Sequence, residues 1–205
     1  MKNKTPLTYY GGKQRLASVI LPLIPSHETY TETFVGGGVI FWSKAPSNVE
    51  IINDNNREII NFYEVVQNEF IELEKLIRIS LYSRSLHSDA TVMYNNPHLF
   101  SRIQRVWAVW VLASQSFGGK LNGGWGYERT KKQASTKIWR KREAFTIEYA
   151  IRLQSVQVEC MDALRVIRSR DYAGAFHYCD PPYFNAHCGH YNEYNITDFE
   201  ALLSQ

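Results

Sequence analysis

The run Phe176-His177-Tyr178-Cys179-Asp180-Pro181-Pro182-Tyr183 carries an apolar stretch into a carboxylate, two prolines and an aromatic ring. Proline has no amide hydrogen and fixes φ, so sheet pairing has to stop at Pro181-Pro182 and the turn that follows is stiff. The pattern predicts a strand over 174–179 that holds Asp180 and Tyr183 at its carboxyl edge, where open α/β sheets bind ligands. A carboxylate, carbonyls freed from the ladder and an aromatic face together suit a planar ring bearing an amine. Such a ring stacks on Tyr183 while its amino hydrogens bond Asp180 and the Pro181 carbonyl. Those contacts orient the amine and support its change towards tetrahedral as it attacks an electrophile.

Three upstream segments have to position this turn. Tyr9-Tyr10-Gly11-Gly12-Lys13 offers small residues that let backbone approach a ligand, with Lys13 at the start of a helix expected over 13–21. A strand expected over 28–34 runs into Val35-Gly36-Gly37-Gly38 and then an apolar, helix-like stretch from Val39. Strand, permissive turn and helix start bring a cofactor against backbone amides, but Phe41 breaks the G-x-G-x-x-G pattern and argues against a nicotinamide cofactor. A third strand expected over 49–53 ends at Asp54. Asp54 suits ribose hydroxyls, a little nearer the glycine turn than the roughly 20 residues usual for such an acid; its alternative role is to cap the helix expected over 55–67.

Asp180-Pro181-Pro182-Tyr183, preceded by Phe34-Val35-Gly36-Gly37-Gly38 and Tyr9-Tyr10-Gly11-Gly12-Lys13, resembles the Dam-like (D12) class of N6-adenine DNA methyltransferases. The resemblance implies a Rossmann-like α/β sheet, S-adenosylmethionine as cofactor and a flipped adenine in double-stranded DNA as substrate. It makes Asp180, Pro181, Pro182 and Tyr183 the catalytic candidates, with Tyr183 as the stacking platform and no covalent enzyme intermediate. For the cofactor it marks Tyr9, Gly12, Lys13, Phe34, Gly36, Gly38, Asp54, Asp162 and Asp180. Asp162, after a strand expected over 155–159, is also placed to cap a helix over 163–169.

The order of these segments divides the chain into a cofactor-binding part (1–67), a helical insertion (68–150) and a catalytic part (151–205). In the insertion, Leu99, Ile103, Val106, Trp107, Trp110 and Val111 fall at helical spacing, which makes both tryptophans core residues rather than base-stacking ones. A glycine-rich loop follows, with Trp125 and Tyr127 expected to be exposed. Residues 120–142 hold eight Lys/Arg against the single acid Glu128, a local charge of +7 in a chain whose total is +3. Lys120, Asn122, Trp125, Tyr127, Arg129, Lys131, Lys132, Lys137 and Arg140 form a candidate nucleic-acid surface; a mobile loop beside a solvated basic helix is the plainer alternative. The family places its small target-recognition domain in this interval.

Hydrophobic content of 44% and charged content of 21% are those of an ordinary globular chain, with no apolar run long enough for a membrane and no signal-peptide core. Cys160, Cys179 and Cys188 cannot all pair and are expected to be reduced in a cytoplasmic protein of a bacterium or phage-infected cell. His187, Cys188 and His190 are too irregularly spaced for structural zinc, so no metal is expected. Thr197-Asp198-Phe199-Glu200 reads as a capping box opening a final helix. The four expected strands leave the one bearing Asp180 at an exposed edge, unlike the family pattern. Two alternatives therefore stay open: a catalytically incomplete remnant that binds DNA or cofactor, and an RNA amino-group methyltransferase. A cognate restriction endonuclease encoded elsewhere is a further candidate partner.

Overall fold

The computed structural model describes residues 5–130, 133–183 and 194–204. Its centre is a parallel sheet whose described strands run in the order β3-β2-β1-β4: β1 (Thr29–Glu32), β2 (Val49–Asn53), β3 (Val156–Glu159) and β4 (Ala175–Tyr178). β1 sits inside, in register Glu32↔Ile52 on one side and Glu32↔Tyr178 on the other, so all three strands end together. The chain runs outward from β1 to β2 and β3, then returns across the sheet to β4. The reversal between β1 and β4 is the crevice where α/β sheets take ligands.

β2 has the expected bounds, while β1, β3 and β4 are three, one and two residues shorter than expected. Before β1 lies α1 (Ala17–Ile20), a short helix preceded by a turn in which the Lys13 carbonyl accepts the Leu16 and Ala17 N–H groups. Lys13 therefore stands in that turn and not in the helix expected over 13–21. α2 (Val39–Ser43) joins β1 to β2.

Between β2 and β3 come α3 (Arg57–Asn68), α4 (Phe70–Ile79), α5 (Arg84–Asn95), α6 (Arg102–Gln115), α7 (Ala134–Ala144) and α8 (Glu148–Leu153). Ile59, Ile60, Phe62, Tyr63, Val65 and Val66 give α3 a buried face, and Trp110, at 1% exposure, anchors α6 in the same core. Trp107 is partly buried and donates its indole N–H to Ser80 Oγ at 2.7 Å, so both tryptophans are core residues as their spacing requires. α9 (Ala163–Arg170) links β3 to β4, and α10 (Ile196–Leu203) comes after β4 in the chain. α10 begins two residues before the expected capping box: Asn195 caps it, with Asp198 returning a bond to the Asn195 N–H at 2.9 Å. Among the described residues no helix is long and apolar enough to cross a membrane.

Candidate functional site

The turn after β1 is built on backbone that only glycine adopts without strain. Gly36 and Gly38 lie at φ 45° and 63°. A Cβ on Gly36 would come within 2.8 Å of the Tyr9 ring, so the aromatic side chain lies directly on the turn. The Tyr63 O–H donates to the Gly36 carbonyl at 2.7 Å from below.

Asp54 faces the same turn from the tip of β2. One carboxylate oxygen accepts the Gly36 N–H and the other the Asn56 N–H, both at 2.9 Å. Burial pushes this carboxyl up from its ordinary range, and the two N–H donors oppose the shift. Asp54 does not cap α3; Asn56 does, accepting the Glu58 N–H at 3.0 Å. Asn53, fully buried, ties three tips together: its Nδ2 donates to the Thr33 and Met161 carbonyls and its Oδ1 accepts the Met161 N–H. Asp162 caps α9 by accepting the Arg165 N–H at 3.1 Å and still lines the cavity described below.

At the end of β4, Asp180 Oδ2 lies 2.5 Å from Lys13 Nζ, which also donates to the Gly11 carbonyl at 3.2 Å. The same ammonium stands 5.3 Å from the centre of the Tyr183 ring, which is 62% exposed. Burial pulls the Lys13 pKa down, but hydrogen bonds to Asp180 and Tyr183 outweigh it and leave it raised. Glu32, which sequence reasoning missed, ends β1 with its carboxyl buried. Its Oε2 accepts the Tyr30 O–H and the Phe41 N–H, each at 2.8 Å. Burial drives its pKa up to about 8; those two bonds act against the shift and the Asp180 charge adds to it. Only the acid's position at a strand end hinted at this, and nothing in its spacing separated it from an exposed Glu.

One cavity of about 520 Å³ gathers these groups, within the span of about 300–1,000 Å³ usual for small-molecule sites. Tyr9, Gly12, Lys13, Phe34, Gly36, Gly38, Asp54, Asp162 and the whole Asp180-Pro181-Pro182-Tyr183 turn line it. α10 closes one side with Asp198, Ala201 and Leu202, and Tyr194 meets Phe34 edge-on at 6.1 Å. Among the described lining residues, five carboxyl groups (Glu32, Asp54, Asp162, Asp180, Asp198) face a single lysine. The site is therefore acid-rich and suits a cationic ligand.

The glycine-rich loop forms a second surface. Ser116 and Trp125 make an antiparallel bridge, closed by Phe117 N–H to Gly124 O at 2.9 Å and Gly126 N–H to Gln115 O at 2.8 Å. The Gln115 side chain pins this hairpin-like loop to the start of α5 through the Leu81 carbonyl and the Ser83 N–H. Trp125 is half-buried, contrary to the sequence expectation, because Tyr82 packs beside it and Arg84 lies 4.7 Å over its ring. Tyr127 stacks on Trp125 at 5.9 Å with Arg129 5.8 Å from its ring centre, and it is exposed as expected. Phe117, beside the Ser116–Trp125 bridge, is 79% exposed, and neither its type nor its place in a glycine run had marked it. Asn122 is exposed; Lys120 reaches back over the Tyr10 ring at 4.7 Å, so the loop touches the segment that carries Lys13.

The basic run does not form one solvated face. Lys137 and Arg140 are exposed on α7, but Arg142 donates to the Ser80 carbonyl at 2.7 Å. Lys141 is half-buried, and this desolvation, with the nearby Lys137, lowers its pKa to about 7. Glu128 accepts from the Ala134 N–H and the Ser135 hydroxyl at the start of α7, so the run's one acid serves that helix. Lys131, Lys132, His187, Cys188 and His190 lie outside the described residues.

Comparison with known proteins gives one consistent result. Residues 9–204 match the model of the D12 class N6 adenine-specific DNA methyltransferase family. A DNA N-6-adenine-methyltransferase of Escherichia phage P1 is 26% identical over 95% of this chain and 26% of its own length. A DNA adenine methylase of Serratia marcescens is 24% identical over 98% of this chain and 77% of its own. A type II methyltransferase, M1.LlaDCHI, of Lactococcus lactis subsp. cremoris is 28% identical over 88% and 66% respectively. The chain thus spans from about a quarter to about three quarters of the length of these relatives.

Proposed function

Because the chain belongs to the D12 class of N6 adenine-specific DNA methyltransferases, we propose that it methylates N6 of adenine in double-stranded DNA with S-adenosylmethionine as methyl donor. The observation that carries this reading is the convergence, in one acid-rich cavity, of the Asp180-Pro181-Pro182-Tyr183 turn, the Gly36–Gly38 turn and Asp54. The donor fits the residues present: it is cationic at sulfur and at its amino group, and the ionisable side chains of the cavity lining are mostly acidic. Asp54 keeps a free lone pair on each oxygen for ribose hydroxyls, while Tyr9 and the glycine turn wall the space beside it. When bound, S-adenosylmethionine supplies an electrophilic methyl group.

The protein's own groups then present the amine. N6 of adenine is shielded within the duplex, so the base has to leave the stack. Tyr183, exposed beside Asp180, offers the flipped ring a face. Asp180 and the Pro181 carbonyl accept the two amino hydrogens, aim the nitrogen lone pair and stabilise the positive charge that grows on it. Before that, Asp180 is held by the Lys13 ammonium, which occupies the carboxylate as an amine would. The incoming amino group replaces Lys13 there.

The loop over Phe117–Tyr127 faces the duplex in this reading. Phe117 is the apolar group placed to enter a base stack as one base leaves it, and Arg129, Lys120, Lys137 and Arg140 supply cations for phosphates. Residues 68–150 act as the target-recognition part. A cognate restriction endonuclease encoded elsewhere is a further partner, and the cytoplasm is the site of action.

Asp180→Ala tests the assignment. It should abolish methyl transfer while calorimetry still records S-adenosylmethionine binding, since Asp54 and the glycine turn are intact. Unchanged transfer would sink the proposed role of the turn.

A further inference from the structure

Asn56 joins two parts of the chain that are distant in sequence. Its N–H donates to Asp54 Oδ1 at 2.9 Å, its side-chain oxygen accepts the Glu58 N–H at 3.0 Å, and its Nδ2 donates to the Tyr94 hydroxyl oxygen at 3.1 Å. Both ends of the side-chain amide are thus engaged, and the amide plane has one orientation. Asp54 continues the chain to the Gly36 N–H, so four residues connect the last turn of α5 to the wall of the cavity. Tyr94 does not line the cavity, and its ring packs against the hydrophobic core. The other end of α5 starts at Arg84, over Trp125 and Tyr127.

We propose that Tyr94, contributed by the interval between β2 and β3, is a positioning residue for the cofactor: it orients Asn56, and Asn56 fixes the carboxylate of Asp54. The inference rests on the reading that this cavity takes S-adenosylmethionine with Asp54 at the ribose. Each Asp54 oxygen has one lone pair committed to a backbone N–H, so the remaining pairs point in set directions. Those directions match a ribose diol only while both N–H donors hold still, and preorganisation of this kind contributes affinity by lowering the cost of ordering on binding. The Tyr94 hydroxyl is the partner of Asn56 Nδ2, and without it the amide is free to turn.

The test is calorimetric S-adenosylmethionine affinity for the full chain and for Tyr94→Phe, Asn56→Ser and the double variant. Serine still caps α3 but cannot reach Tyr94. Arg105→Gln is the control, because it removes a different tie between α3 and α6, the ion pair with Glu58. Each single change should raise Kd on the order of fivefold, the worth of one hydrogen bond, and the double should be no worse than the weaker single. 5′-Methylthioadenosine, which keeps the ribose and lacks the amino-acid end, should show the same loss, and Arg105→Gln should show none. Wild-type affinity in Tyr94→Phe, additive effects, or an equal loss in Arg105→Gln would overturn the inference while leaving the cofactor reading in place. No binding by the wild type would overturn both.

Discussion

Lys13 Nζ lies 2.5 Å from Asp180 Oδ2, across 167 positions of sequence. The contact joins the first glycine segment to the Asp180-Pro181-Pro182-Tyr183 turn, and both side chains are mostly sheltered, at 16% and 24% exposure. Removing one partner leaves the other without its counter-ion in a partly dry site. Lys13→Gln should therefore destabilise the fold by about 1–3 kcal/mol, and adding Asp180→Asn should recover most of the loss. Urea titrations of the two singles and the double close the cycle. Additive losses would mean that the pair is not coupled.

Glu32 gives a pH dependence with a definite sign. Its carboxyl titrates near 4.5 ordinarily and at about 8 in the folded protein. Between those values the unfolded chain releases the proton while the folded chain keeps it, so the Glu32 contribution to stability falls as pH rises from about 4.5 through about 8. Glu32→Gln retains an oxygen for the Tyr30 O–H and Phe41 N–H and cannot titrate. The variant should lose part of the decline in denaturation midpoint that the wild type shows over this interval. Parallel curves for the two proteins would contradict the assignment.

Much of this site was legible because its chemistry is written in contiguous residues. Asp180-Pro181-Pro182-Tyr183 carries its own stop signal for the strand, and Gly36 and Gly38 sit where the backbone has positive φ. What escaped the sequence depends on pairing between distant segments. Glu32, Asn53 and Asn56 are ordinary polar residues until the strand ends meet. Trp125 looks exposed until Gln115 pins its loop against Tyr82 and Arg84. Asn195 and Thr197 are both good caps, and Asn195 takes the role, its side-chain oxygen accepting the Thr197 and Asp198 N–H groups.

Gly36→Ala tests the glycine turn. A Cβ there meets the Tyr9 ring at 2.8 Å on backbone at φ 45°, so the substitution should cost about 1–2 kcal/mol in backbone strain and displace Tyr9 from the cavity. Loss of S-adenosylmethionine binding in calorimetry is the expected readout. Gly124→Ala, with nothing within 4 Å and no positive φ, is the matched control and should bind normally.

The loop over residues 117–129 predicts two distinguishable defects in DNA binding. Arg129→Gln should flatten the dependence of log K on log salt by about 0.9 for the one phosphate contact removed. Phe117→Ala should leave that slope unchanged and instead lower fluorescence from a base analogue at the target position, because it removes an apolar group and no charge. Equal slopes for wild type and Arg129→Gln would take Arg129 off the phosphate backbone.

The central claim is methyl transfer to adenine N6 at the Asp180 turn. Its most direct test is a single-turnover reaction of the chain with methyl-labelled S-adenosylmethionine and adenine-containing duplex DNA, followed by hydrolysis of the DNA to nucleosides. The account predicts label in N6-methyl-2′-deoxyadenosine from the wild type and none from Asp180→Ala. Donor binding without any label in adenine, or equal label from both proteins, would contradict it.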